Sequence, residues 1–175
     1  LESYFDAIDY LVGEGYTVVR TGDPSMDPVR RRGVIDLATS PHRTAALEVY
    51  VLLRSTFLMT GDSGPHLASY LTNTPLLMVN ATDPVLVYPV RKAGLYLLKT
   101  VVDLDTGQEL QFPDLLTDAY YGRLRSPKQY RYRPNTSEEI VAATQEMVAQ
   151  LRSPSPESSA QSHLRQVVTD ACGVL

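Results

Sequence analysis

The chain of 175 residues has a single cysteine, Cys172, and no apolar run near the roughly 18 residues that cross a bilayer. One cysteine excludes an intrachain disulfide and any zinc site that is built from cysteines. It also fits a reducing compartment. The sequence shows no signal-peptide pattern. We therefore expect a cytoplasmic protein without a membrane span.

An excess of basic residues is absent: the charged fraction of 21% is ordinary, and the net charge is −4. Such a chain has no electrostatic attraction for nucleic acid or for an anionic membrane, so we expect neither as a partner. The hydrophobic fraction of 43% is ordinary, and 175 residues are enough for one well-packed domain. Because Leu1 is not a methionine and already lies in a helical pattern, we expect a processed or excised piece of a longer protein.

Residues 56–71 have the pattern of a strand, a tight turn and a helix. Thr56–Met59 is a short apolar run of the length of a buried strand. The polar, glycine-containing turn Gly61–Pro65 follows it. Apolar residues then recur at helical spacing, at Leu67, Ala68 and Leu71.

The start of this helix is a candidate anion site. Its first backbone N–H groups have no intrahelical partner, and the helix dipole adds positive potential there. Such a terminus attracts phosphate. Ser63 can cap the helix or donate to a phosphate oxygen, Gly64 lets a ligand approach the backbone, and Pro65 suits the first helical turn. The alternative is a capped helix without a ligand.

Strand and helix patterns alternate along the whole chain. Strands are predicted at Tyr16–Val19, Val34–Ala38, Thr56–Met59, Leu76–Val79 and Tyr96–Val102. Helices are predicted over residues 3–12, from Ser40–Pro41, from Asn135 to about Leu151, and over about Gln161–Ala171. The helix from Ser40–Pro41 has an apolar side that comprises Ala46, Leu47, Val49, Tyr50 and Leu53. No regular element is predicted for residues 103–136. The alternation implies an α/β fold with a Rossmann-like parallel sheet and helices on both faces.

Ligands of such sheets bind beyond the carboxyl ends of the strands. Three loops follow successive predicted strands: Arg20–Ser25, Thr39–Arg43 and Gly61–His66. Right-handed crossovers should bring these loops to one edge of the sheet.

The order of the motifs resembles the nucleotide-sugar-binding half of heptosyltransferase-like glycosyltransferases, which have the two-domain GT-B architecture. The segments that carry the resemblance are Val34–Leu37, Phe57–Gly61, Asp62–Ala68, Thr74–Asn80 and Thr82–Pro84. The chain resembles still more closely a set of bacterial surface-carbohydrate glycosyltransferases. They share the stretch Arg20–Met26 and the helix start Asn135–Ile140. The resemblance covers roughly residues 4–151.

The resemblance implies a pocket for a nucleotide-sugar donor. The Asp62–Gly64 turn would hold the diphosphate or the sugar, with His66 beside it. The Arg20–Ser25 loop would lie near the nucleoside, and the Val34–Ser40 segment would face the base. The donor-binding residues implied are Arg20, Gly22, Asp23, Ser25, Asp62, Ser63, Gly64 and His66.

The resemblance also implies that parts of the enzyme precede Leu1. These are the first strand of this half, the basic residue in the loop after it, and the acceptor-binding domain with its general base. No catalytic residue is therefore assigned within the chain. The implied partners are a nucleotide-sugar, a carbohydrate acceptor and the missing N-terminal domain, with no cofactor or metal. The expected organisation is an N-terminally incomplete domain over residues 1–152, a linker over 153–160 and a C-terminal helix over 161–175.

Several of these residues have structural alternatives. Arg20 can form an ion pair with Asp23 or Asp36, and Gly22–Ser25 is also ordinary turn chemistry. Asp62 can orient a sugar hydroxyl or cap the helix. His66 can contact the ligand or simply pack against the next loop.

The remaining polar and aromatic groups are weaker candidates. Arg30–Arg32 is a solvated loop or a patch for an acidic acceptor. His42 and His163 have no acidic or cysteine neighbours at metal-ligand spacing. A cluster of tyrosines and arginines either stacks on a base or sugar, or packs on the domain surface; it comprises Tyr120, Tyr121, Arg123, Arg125, Tyr130, Arg131 and Tyr132. At the level of function, an epimerase of the same architecture and a non-catalytic nucleotide-binding module remain as alternatives.

Overall fold

The structure is a computed structural model that describes residues 1–64, 66–82, 94–124, 129–154 and 156–172. Its helices are α1 (Phe5–Gly13), α2 (Ala45–Arg54), α3 (His66–Leu71), α4 (Asp118–Leu124), α5 (Ser137–Arg152) and α6 (Ser159–Cys172). Its strands are β1 (Val18–Arg20), β2 (Val34–Asp36), β3 (Leu58–Thr60), β4 (Leu76–Ala81), β5 (Gly94–Leu98), β6 (Thr100–Asp103) and β7 (Tyr130–Arg133). Short 3-10 helices span Glu2–Tyr4 and Phe112–Leu116.

The fold is mixed α/β with small parallel sheets. β1 pairs with β2 in parallel, and β3, β4 and β5 form a three-stranded parallel sheet in that order. β6 and β7 form an antiparallel pair. The described strands are thus grouped into three sheets, and no described pairing joins β1 or β2 to β3, β4 or β5. The predicted parallel pairing within an α/β fold is present, and the single Rossmann-like sheet stays a prediction.

The main core lies on the two faces of β4. Four of its side chains from Leu76 to Val79 are buried, as expected for a parallel strand with a neighbour on each side. On one face, Leu77 and Val79 pack against Ala7 of α1 and against Ile140 and Met147 of α5. The opposite face packs Leu76, Met78 and Ala81 with Leu58, Tyr96 and Leu98. Alternate residues from Leu76 to Val79 therefore serve two layers, and Ala81 joins the layer of Leu76 and Met78 because the register of β4 shifts between Met78 and Ala81.

The helix start predicted at Asn135–Glu139 is confirmed by a capping box. The Thr136 side chain accepts a hydrogen bond from the Glu139 N–H, and the Glu139 carboxylate accepts one from the Thr136 N–H. Two backbone donors at the helix start are thereby satisfied. The predicted apolar alignment is also confirmed at Ile140 and Met147, which are fully buried.

Helix α2 begins later than predicted. Ser40 accepts a hydrogen bond from the His42 N–H in a turn, and Thr44 is the residue that caps the helix. Thr44 has an extended backbone and accepts from the Leu47 N–H. No residue of α2 is buried, and Tyr50 is 61% exposed. The apolar side of this helix is thus largely uncovered within the described part of the chain.

Residues 94–133 differ most from the prediction. The run Tyr96–Val102 contains two strands, β5 and β6, separated by Lys99. The segment without a predicted element holds a 3-10 helix, α4 and β7. Tyr120 is buried, its ring packs against Tyr121 and Tyr130, and its hydroxyl lies 3.1 Å from that of Tyr132. The tyrosine cluster therefore packs in this structure, and Arg125 lies outside the described residues.

None of the helices in the described ranges combines the length and the apolar character that crossing a membrane requires.

Candidate functional site

The carboxyl ends of β1 and β2 are joined by an ion pair. Arg20, the last residue of β1, places Nη1 3.0 Å from Oδ2 of Asp36, the last residue of β2. The two side chains are only 12% and 10% exposed. The same nitrogen of Arg20 donates to the carbonyl of Asp27 at 2.9 Å. Of the alternatives for Arg20, the pair with Asp36 is the one present.

Asp36 also holds the loop that connects the two strands. Its Oδ2 accepts from the Val29 N–H at 2.8 Å and from the Thr39 hydroxyl at 2.9 Å. Burial opposes ionisation of this carboxyl. The hydrogen bonds from Val29 and Thr39, together with the Arg20 charge, outweigh burial and lower the pKa of Asp36 below its ordinary value. Oδ1 is buried and has no hydrogen-bond partner in the part of the chain described.

Gly22, Asp23 and Ser25, which are predicted to contact the donor, lie in a turn. Asp23 Oδ1 accepts from the Ser25 hydroxyl at 2.6 Å and from the Ser25 N–H at 2.8 Å. These bonds, with a smaller contribution from the Arg43 charge, lower the pKa of Asp23. Gly22 has a φ of +153°, and a Cβ there would lie 2.9 Å from the Met26 sulfur. Residue 22 is therefore restricted to glycine by the turn itself.

Two of the three predicted loops are neighbours in space. The Arg20 carbonyl at the end of β1 accepts hydrogen bonds from the N–H groups of Leu37 at 2.9 Å and Ala38 at 3.1 Å, which follow β2. Arg43 pairs with Glu48 at 3.0 Å. The loops after β1 and β2 thus lie together at one sheet edge, as predicted from their place after parallel strands.

The third loop lies at the carboxyl edge of the three-stranded sheet. Asp62 follows β3, and its Oδ2 accepts from the Thr82 N–H, which follows β4, at 2.8 Å. Lys99 follows β5 and donates from Nζ to the Thr82 hydroxyl at 3.2 Å. The ends of three neighbouring strands thus contribute Asp62, Thr82 and Lys99 to one group, which we call the edge triad.

The sequence did not identify Lys99 as a candidate site residue. The predicted strand Tyr96–Val102 places Lys99 in its interior, whereas the structure ends β5 at Leu98 and resumes at Thr100. The Lys99 N–H donates to the Ala81 carbonyl at 2.8 Å. A charged residue inside an apolar strand pattern was the available signal that the strand is interrupted.

Ser63 and its neighbours complete the turn. The Ser63 hydroxyl lies 3.0 Å from that of Thr60, and the Ser63 carbonyl accepts from the His66 N–H at 3.1 Å. His66 Nδ1 contacts the same carbonyl and must carry the proton to do so. A Cβ at Gly64 would meet nothing within 4 Å. The helix start predicted at Pro65 lies outside the described residues, and the described helix begins at His66.

Asn80, near the end of β4, has a left-handed backbone with φ +56°. Asn80 and Asn135 bond each other reciprocally: each N–H donates to the other's side-chain oxygen, at 2.6 and 2.7 Å. Asn80 Nδ2 donates to the Tyr4 hydroxyl, and Asn135 Nδ2 donates to the Leu98 carbonyl. These bonds fix the strand ends beside the edge triad. A non-glycine residue with positive φ is not visible in a sequence.

Arg31 is not simply solvated, contrary to one interpretation of Arg30–Arg32. Its guanidinium pairs with Asp9 and lies 4.3 Å from the centre of the Phe5 ring. Both contacts are to α1, so Arg31 fastens the loop before β2 to the first helix.

None of the hydrogen bonds and ion pairs described above joins the carboxyl edge of the β1–β2 pair to that of the three-stranded sheet. The rings of Tyr16 and Phe57, which lie just before β1 and β3, are 6.2 Å apart, so the starts of these two strands lie near each other. A common ligand pocket for Arg20–Ser25 and Asp62–His66 stays a prediction.

Among the described residues, no group of three or more His, Cys, Asp or Glu side chains is placed to hold a metal ion. Comparison with known proteins finds no matching family model, no matching curated protein and no matching solved structure.

Proposed function

We propose that the chain is the donor-binding part of a glycosyltransferase that transfers a sugar from a nucleotide-sugar to a carbohydrate acceptor. The observation that carries the proposal is the position of the Asp62–Gly64 turn. It follows β3 at the carboxyl edge of a parallel sheet, and α3 begins directly after it. This is where parallel α/β sheets bind their ligands. The motif resemblance supplies the ligand class.

The proposed chemistry is displacement at the anomeric carbon. An acceptor hydroxyl attacks this carbon while the nucleoside diphosphate departs, and negative charge grows on the diphosphate in the transition state. The general base belongs to the acceptor-binding domain implied by the resemblance. The contribution of this chain is to bind the donor and to neutralise the leaving group.

The contacts in the structure make some of the implied donor-binding residues stronger candidates for ligand contact than others. Arg20 is engaged by Asp36, and Asp23 by Ser25, so both serve first to shape their loops. Because α3 has only six residues, its dipole is small. Ser63 and the backbone at Gly64, where space is open, are the stronger candidates for phosphate contact. Because His66 Nδ1 contacts the Ser63 carbonyl, the ring can donate a hydrogen bond to phosphate from Nε2 only in its doubly protonated form.

We also propose that the two parallel units belong to one Rossmann-like sheet. The resemblance implies one further strand of this half, preceding Leu1. A strand placed between β1 and β3 would give the order β2, β1, added strand, β3, β4, β5, which is the order of a doubly wound sheet. The support is that β1 and β3 are edge strands of their two sheets, and that the rings of Tyr16 and Phe57, which lie just before these strands, have centroids 6.2 Å apart.

Calorimetric titration with UDP-, GDP- and ADP-sugars tests the proposed function. We expect one class to bind, and Ser63→Ala combined with Gly64→Val to weaken that binding by at least about tenfold. Gly122→Val is the matched control, because a Cβ at Gly122 also meets nothing within 4 Å. It should leave both folding and affinity unchanged.

Three results would contradict the proposal. An affinity of the double variant within about twofold of the original protein would show that the turn is not the donor site. Absence of binding by the folded longer protein, which includes the acceptor-binding domain, would reject donor binding altogether. Conversion of a free nucleotide-sugar without any acceptor would indicate an epimerase instead.

A further inference from the structure

We propose that the edge triad of Asp62, Thr82 and Lys99 recognises a phosphorylated sugar. Lys99 and Thr82 donate to a phosphoryl oxygen, and Asp62 accepts a hydrogen bond from a neighbouring sugar hydroxyl. The inference deepens the proposed function, since a nucleotide-sugar contains both groups. Its geometric basis is the edge triad, and Lys99 is not among the donor-binding residues that the resemblance implies.

Lys99 is a cation without a carboxylate partner in the described part of the chain. Every ion pair there uses an arginine. The side chain of Lys99 is half-buried, and its hydrogen bond is to the neutral Thr82 hydroxyl. An ammonium group has three N–H donors, so this bond uses one of them. A half-buried cation that lacks a counter-ion attracts an anion more strongly than a fully solvated one.

Thr82 is oriented to assist the same anion. Its hydroxyl oxygen accepts from Lys99, and its backbone N–H donates to Asp62. Because the oxygen acts as an acceptor toward Lys99, the hydroxyl proton is available to donate elsewhere. Lys99 and Thr82 thus present two donors from adjacent atoms, which suits the several oxygens of a phosphoryl group.

Asp62 provides a hydrogen-bond acceptor, whereas Lys99 and Thr82 provide donors. Its Oδ2 is held by the Thr82 N–H, and the carboxylate has no ion pair in the described part of the chain. An ionised carboxylate accepts hydrogen bonds and does not donate. It repels phosphate and attracts hydroxyl groups. Two donors beside one carboxylate therefore fit a phosphate next to a hydroxylated carbon better than they fit a bare anion.

The test is calorimetric titration of the chain with inorganic pyrophosphate. We expect Lys99→Met to weaken pyrophosphate binding by at least about tenfold, and Lys99→Arg to retain it within about threefold. Arg152→Met removes the same charge from an exposed position at the end of α5 and should change the affinity by less than about twofold. Asp62→Asn should leave pyrophosphate binding equal or tighter, because it removes a like charge.

Thr82→Val is a second variant, which removes the hydroxyl and keeps the side-chain shape. It should weaken pyrophosphate binding even if Lys99→Met fails to fold. The inference is overturned if the folded protein does not bind pyrophosphate at millimolar concentration, or if neither Lys99→Met nor Thr82→Val weakens its binding.

The failure of this inference is distinguishable from failure of the proposed function. A nucleotide-sugar that binds the original protein and Lys99→Met equally would reject the role of Lys99 and keep donor binding. Pyrophosphate that binds through Lys99, with no nucleotide-sugar bound by the longer protein, would keep the anion site and reject the donor assignment.

Discussion

Asp36 receives hydrogen bonds from three parts of the chain, which makes it the residue on which the loop after β1 depends. Replacing it with Asn keeps the shape but leaves the Arg20 guanidinium largely buried without its carboxylate. We expect Asp36→Asn to lower the free energy of unfolding by about 2–3 kcal/mol at neutral pH. Chemical denaturation measures this change. Asp27→Asn, which alters an exposed side chain of the same loop, is the control and should cost little.

Asp36 should also make the stability of the folded protein depend on pH. The pKa of Asp36 in the folded state lies below its ordinary value of 3.8, so the unfolded state binds more protons as the pH falls. The stabilisation by Asp36 is complete above about pH 5 and declines as the pH drops through 3.8 toward the lower, folded-state pKa. The stability difference between the original protein and Asp36→Asn should therefore shrink on acidification. A difference that stays constant from pH 7 to pH 3 would show that the carboxylate charge is not responsible.

At the scale of elements, the pair of Asn80 and Asn135 joins the end of β4 to the start of α5. Asn135 is buried, and Asn135→Ala would leave the Asn80 N–H and the Leu98 carbonyl without partners. We expect a loss of about 3 kcal/mol of unfolding free energy. Thr136→Ala, one residue along, removes a helix cap and should cost about 1 kcal/mol. If thermal or chemical unfolding gives the reverse order, the asparagine pair does not hold this junction.

Elements with a strong internal period were predictable from the sequence. α1 and α5 carry apolar residues at helical spacing with clear end signals, and β4 is a compact apolar run. The segment that holds α4 and β7 has no such period. Its stability comes from tyrosine rings that meet across different elements, and contacts between distant residues leave no local pattern.

The candidate site was predictable in part for the same reason. The turns at Gly22–Ser25 and Asp62–Gly64 have local turn chemistry, and both lie at carboxyl ends of parallel strands. The place of Lys99 in the site depends on where β5 ends, and that of Asn80 depends on one unusual backbone angle. Those features are set by pairing with neighbouring strands, which the order of residues does not display.

At the scale of the whole molecule, β1 and β3 are edge strands of the two described parallel sheets, as are β2 and β5 on the other sides. Hydrogen bonds to one neighbour alternate along a parallel strand. β1 bonds to β2 through Val18 and Arg20, and β3 bonds to β4 through Leu58 and Thr60. The amide groups of Val19 and Met59 therefore point to the opposite side, where no described strand pairs with them. β4, with a neighbour on each side, is buried, whereas β1 and β3 are half-buried.

The proposed additional strand gives these two amides their partners, and hydrogen exchange can detect it. In the chain of 175 residues, the Val19 and Met59 amides should exchange much faster than those of Val18 and Thr60. In a longer polypeptide that includes the segment before Leu1, both should become protected together, because one strand between β1 and β3 pairs with both. Val18 and Thr60 serve as internal controls. If Val19 and Met59 are already protected in the shorter chain, the edges are closed and the six-stranded order is wrong. If only one gains protection in the longer protein, the added strand lies beside that sheet and does not join the two.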